Sequence, residues 1–142
     1  MTSRRRPISD LGWRLVRAGL RDGSCRGHTG PVVVSLTDFT FARWRDLPGA
    51  WLAAMRLRRA WPRLPGAVGL MLWVKPLSRR SGSISIWTSD AELRRFVSWR
   101  EHAVTVRRYR PRMSGTHSMW RSDHPSLAAA AAEGRRRVRA ER

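Results

Sequence analysis

The chain has 142 residues, 42% of them hydrophobic, enough for one packed core with short extensions. Its formal charge of +19 at pH 7 comes from 29 basic residues against 10 acidic ones, and Lys75 is the only lysine. A single cysteine, Cys25, excludes an intramolecular disulfide and a thiolate metal cluster, and no apolar run is long enough to cross a membrane. So basic a balance suits an anionic partner such as nucleic acid or a lipid surface, but arginine almost without lysine is also what a coding bias produces.

In chain order, residues 1–30 read as a basic extension. No unbroken apolar segment follows Met1–Arg6, because Arg14 and Arg17 interrupt Leu11–Leu20; a cytoplasmic setting without a secretory signal is expected. Trp13, Val16 and Leu20 recur at helical spacing and predict a short amphipathic helix. Asp22–Gly30 is a glycine-containing connector.

Residues 31–124 carry the predicted domain. Pro31–Thr40 opens with a β-branched run and reads as a strand, Val32, Val34 and Leu36 on one face and Val33, Ser35 and Thr37 on the other. Pro48 suits the first turn of a helix, where its missing N–H costs nothing. That helix runs through Trp51, Leu52, Met55 and Arg59 and ends at Pro62 and Pro65. Ala67–Val74 and Ser83–Thr88 form the two strands of a hairpin around the polar turn Ser78–Gly82. Ser83–Thr88 alternates serine with isoleucine, as a strand with unlike faces does.

Ser89-Asp90-Ala91-Glu92 is a capping box and starts the second helix. Its expected buried stripe is Leu93, Phe96, Val97, Arg100 and Val104, and Pro111 stops it. Ser114–Trp120 is the last predicted strand, and residues 125–142, rich in Ala and Arg, a C-terminal helix. The order βαββαβ predicts a ferredoxin-like antiparallel sheet with both helices on one face. The other face would then be bare, and a second copy is the simplest cover, so a homodimer is expected.

No phosphate loop, G-x-S-x-G elbow, paired-carboxylate pattern or metal-ligand spacing is present. Of the four histidines, His102 is the one to watch: on a straight helix it lies opposite Leu93, and a kink or break would turn it towards a cavity. Its plainer reading is an ordinary helix histidine. Eight tryptophans in this length build a bulky core, or some of them wall an apolar pocket between helices and sheet; Trp51, Trp73, Trp87 and Trp99 are the candidates. Arg107, Arg108, Arg110 and Arg112, interleaved with Tyr109, offer a grip on nucleic-acid phosphates, or are the solvated end of a helix.

Phe41–Trp120 resembles the spheroidene monooxygenase-like group, in the dimeric α+β-barrel superfamily that also holds antibiotic-biosynthesis monooxygenases and haem-degrading enzymes. The matching features are FARW at 41–44, LPGAVG at 64–69, SISIWTSDAELRRFV at 83–97, the Trp99–His102 segment, the basic YRP after it and the strand ending in Trp120. The resemblance implies a small oxygenase-like protein acting on or binding a hydrophobic or aromatic molecule. For some relatives it implies haem, with His102 the first ligand candidate and His117 the second. Without a cofactor, His102 or His117 would take a proton from an activated phenol. A nucleic-acid-binding module and a ligand-binding protein without chemistry are the alternatives.

Overall fold

The computed structural model describes residues 16–17, 21–123 and 126–140. Its strands are β1 (Val16–Arg17), β2 (Arg21–Asp22), β3 (Val32–Phe41), β4 (Ala67–Lys75), β5 (Arg80–Trp87) and β6 (Met113–Ser122). Its helices are α1 (Leu47–Ala60), α2 (Asp90–Ser98), α3 (Arg100–Tyr109) and α4 (Leu127–Ala140). The four long strands lie in the order β4-β5-β3-β6, and every pairing is antiparallel. This is the expected βαββαβ arrangement, with α1, α2 and α3 packed on one face of the sheet.

Strand alternation sorts the core into two layers. Val32, Val34 and Leu36 of β3 share one face with Ile84 and Ile86 of β5 and Met71 of β4. On the other, Val33, Leu70, Leu72 and Trp87 pack with Trp61, Leu93 and the partly buried Met55 and Phe96. A bulge between Ala67 and Gly69 shifts the register of β4, so that Ala67 packs with the helices while Val68 joins the opposite layer.

The first layer was expected to be bare. Instead α4 lies on it, with Ala130 and Ala131 buried against the valines and isoleucines. Small residues make this approach close: a Cβ on Gly134 would stand 3.3 Å from Ile84 Cδ1. Arg137 continues the contact by stacking its guanidinium 4.4 Å from the Trp120 ring centroid. The chain itself therefore covers the surface on which a second copy was expected to sit.

Three local expectations also change. Val16–Arg17 and Arg21–Asp22 are strand pairs on the outer edge of β4, where the helical spacing predicted a helix. An open strand edge offers unpaired N–H and C=O groups, and pairing with them outweighs a short periodicity; Trp13 and Leu20 lie outside the described residues. The hairpin turn is tighter than expected, with Arg79 in the left-handed region at φ 56° and β5 beginning at Arg80. The second helix is broken at Trp99, whose ψ of 132° is extended.

Filling the gap that Gly134 leaves should cost stability. Gly134→Leu is expected to destabilise the fold by about 1–3 kcal/mol through overpacking, although leucine is the better helix former. Ala129→Leu, at an exposed position of the same helix, should change the thermal midpoint little. Melts of the two variants check this.

Candidate functional site

The serine–isoleucine alternation of β5 sends Ile84 and Ile86 under α4 and leaves Ser81, Ser83 and Ser85 facing the helices. Ser35 and Thr37 of β3 extend this hydroxyl surface, and His117 of β6 completes it at the sheet edge. Serines are too short to reach the helices, so a cavity of about 620 Å³ lies between the two layers. Its roof is apolar, from Ala54 and Leu57 of α1 and Leu93 and Phe96 of α2.

The floor hydroxyls are tied to one another. Thr37 Oγ1 and Ser83 Oγ are 2.8 Å apart, Ser35 Oγ is 2.8 Å from His117 Nε2, and Trp87 Nε1 donates to Ser85 Oγ at 2.9 Å. Such pairing keeps the hydroxyls, of which Ser35 and Ser85 are buried, satisfied beside an empty volume.

The break at Trp99 shapes the rest of the roof. It leaves the last carbonyls of α2 without intrahelical donors. Ser98 Oγ donates to Arg94 O and Arg95 O, and His102 Nδ1 reaches back to Val97 O at 3.1 Å. A carbonyl can only accept, so Nδ1 carries the proton and Nε2 keeps its lone pair. Beyond the break, His102, Thr105, Val106 and Tyr109 stand at spacings of three, one and three and all line the cavity. The expected stripe fails at this point: Val97, just before the break, lines the cavity while about half exposed, whereas Val104 is about half exposed and Arg100 exposed, and neither lines it.

His102 is half-buried, its ring centroid 4.5 Å from that of Phe96. Desolvation lowers its pKa below the usual histidine value, and the hydrogen bond to Val97 offsets part of that shift. The imidazole is therefore neutral at pH 7, with Nε2 as a base. His117 is exposed on the edge strand, so the two histidines reach the cavity from opposite layers.

None of the four tryptophans expected as walls lines the cavity. Trp73 is buried in β4, with the Arg80 guanidinium 5.9 Å from its ring centroid. Trp87 is buried edge-on against Trp61 at 4.8 Å. Trp51 is half-buried between two core clusters, and Trp99 marks the helix break. Among the described tryptophans it is Trp61 that lines the cavity, a residue that no motif singles out; its Nε1 is buried and has no hydrogen-bond partner. The arginines at 107–112 do not form one grip. Arg112 pairs with Asp46 at 3.2 Å, Arg108 lies over the Tyr109 ring, and Arg110 lines the cavity.

Among the described residues no group of three or more His, Cys, Asp and Glu side chains is placed to hold a metal ion, and no helix is long and apolar enough to cross a membrane. Solved structures with the same fold include SnoaB, a cofactor-independent oxygenase from Streptomyces nogalater. It is 17% identical over 68% of this chain and 96% of that one, with a TM-score of 0.52. LmHde, a heme-degrading enzyme from Listeria monocytogenes, is 15% identical over 74% and 66% of the two chains, at 0.55. A monooxygenase-like protein from Listeria innocua is 11% identical over 78% and 64%, at 0.57. The chain thus shares the ferredoxin-like α+β fold of these structures, and the likeness is one of fold. No protein-family model and no curated protein sequence matches it.

The lowered His102 pKa has a consequence for stability. The unfolded chain takes up this proton more readily than the folded one, so the contribution is full above about pH 6.5 and is lost as pH falls through the depressed value. Thermal midpoints between pH 7.5 and 5 should drop less in His102→Asn than in the wild type. Equal drops would mean that His102 is not the linked group.

Proposed function

We propose that the protein is a small oxygenase-like protein that takes a hydrophobic, hydroxyl-bearing aromatic molecule into the cavity between sheet and helices. One observation carries the reading: a neutral His102, its Nε2 without a protein partner among the described residues, lines a cavity with an apolar roof and a hydroxyl floor. Flat rings suit the apolar roof and ring oxygens suit the hydroxyl floor. His102 Nε2 would accept the acidic proton of the bound ring, leaving an electron-rich anion for dioxygen to oxidise. His117, held by Ser35, is the second candidate base.

Haem is a second reading, favoured by the same neutral imidazole, which is the donor an iron takes. His102 would hold the iron, and Leu93, Phe96 and Val106 would exclude water from it. Bound there, haem would supply oxygen binding and redox chemistry. A homodimer would have to use a surface other than the one under α4. The outer edge of β6, unpaired among the described residues, is one that a partner strand would fit.

Oxygen uptake with a panel of hydroxylated two- and three-ring aromatics tests the first reading. The wild type should consume oxygen, with an acid limb below pH ~6.5. His102→Ala should lose roughly a hundredfold or more in turnover while retaining ring binding. Binding without uptake in the wild type would make this a ligand-binding protein. Titration with haem tests the second: a Soret shift abolished in His102→Ala supports it, and its absence removes it.

A further inference from the structure

Two of the most exposed large apolar side chains stand at one end of the domain. Trp44 is 60% exposed and Leu77 is 81% exposed. They come from segments distant in sequence, the single 3-10 turn before α1 and the one joining β4 to β5. These turns are fixed to each other. Trp44 Nε1 donates to Pro76 O at 2.7 Å, Arg79 Nη1 donates to Ala42 O at 3.2 Å, and Phe41 N donates to Arg79 O at 2.8 Å. The Arg79 guanidinium lies 5.6 Å from the centroid of the Trp44 ring. The patch is therefore built before any partner arrives, which lowers the ordering cost of binding.

The patch is ringed by cations. Arg43 and Arg45 flank Trp44 in the chain, and both are exposed. The backbone at Arg110–Arg112 is tied to this segment, because Ala42 N donates to Arg112 O at 2.9 Å. The only acid on these segments is Asp46, buried and already paired with Arg112.

We infer that this end of the domain docks on an anionic lipid surface. Trp44 and Leu77 would enter the boundary between headgroups and acyl chains, and the arginines would meet lipid phosphates. Nucleic acid fits the patch less well. One face of the indole is taken by Arg79, its N–H is spent on Pro76, and among the described residues no second aromatic ring stacks beside it. Leu77 would also be left in water by a nucleic acid, whereas lipid buries it. Phe41 and Arg110 line the cavity as well as adjoining the patch, so docking would bring one end of the cavity to the membrane. The docking itself does not depend on what the cavity does.

Co-sedimentation of the full chain with vesicles tests this. The protein should bind mixed phosphatidylcholine–phosphatidylglycerol vesicles and not phosphatidylcholine alone. Leu77→Asp should lower the partition coefficient by roughly tenfold or more. Leu52→Asp makes the same charge change at a residue 60% exposed on α1 and should leave partitioning close to wild type. Both side chains are exposed, and melts establish that the variants are folded. The absence of binding to mixed vesicles, or equal losses in the two variants, would overturn the inference. So would intact vesicle binding in Leu77→Asp together with loss of single-stranded oligonucleotide binding in Arg45→Glu, which would give the patch to nucleic acid.

Discussion

Everything in this domain depends on the strict alternation along β3 and β5. Val34, Leu36, Ile84 and Ile86 go to one side and Ser35, Thr37, Ser83 and Ser85 to the other, and the two sides demand different cover. The aliphatic side loses free energy unless it is removed from water. Ala130, Ala131 and Gly134 let α4 come close enough to do that. The hydroxyl side does not tolerate a dry, tightly packed lid unless its oxygens are paired. It is covered at a distance instead, by α1, α2 and α3, and the space between remains.

The break at Trp99 decides what that space can do. A continuous helix would carry Val104 inward beside Leu93 and Val97 and send His102 outward. With the break, His102, Thr105, Val106 and Tyr109 form the inward row. The same break leaves Val97 O in need of a donor, and His102 Nδ1 supplies it. One local irregularity thus brings an imidazole to the cavity, fixes its tautomer and leaves Nε2 available, while burial beside Phe96 keeps the ring neutral.

Much of this was legible in the chain. The capping box at Ser89–Glu92, the Ser/Ile alternation of β5 and the proline boundaries of α1 placed the βαββαβ elements, and Ser89 Oγ accepts from Glu92 N as that motif requires. His102 and His117 stood out as histidines and both line the cavity. What was hidden depended on long-range geometry. Periodicity counted Val104 as buried because it assumes an unbroken helix. Tryptophan identity pointed to Trp51, Trp73, Trp87 and Trp99, yet among the described tryptophans it is the core ring of Trp61 that borders the cavity. The bare face looked like a dimer surface because a low-hydropathy Ala/Arg helix gives no sign of packing on a sheet. The row of small residues at 130, 131 and 134 was the signal that could have shown it.

The central claim is that His102 presents a neutral imidazole, protonated on Nδ1, to an occupied or occupiable cavity. Nitrogen-15 NMR of the histidine ring reads this directly. At pH 7 the His102 resonances should show the Nδ1–H tautomer, and the Nε2 signal should move when 1-naphthol is added. A charged ring, an Nε2–H tautomer, or an Nε2 signal indifferent to saturating 1-naphthol would contradict it.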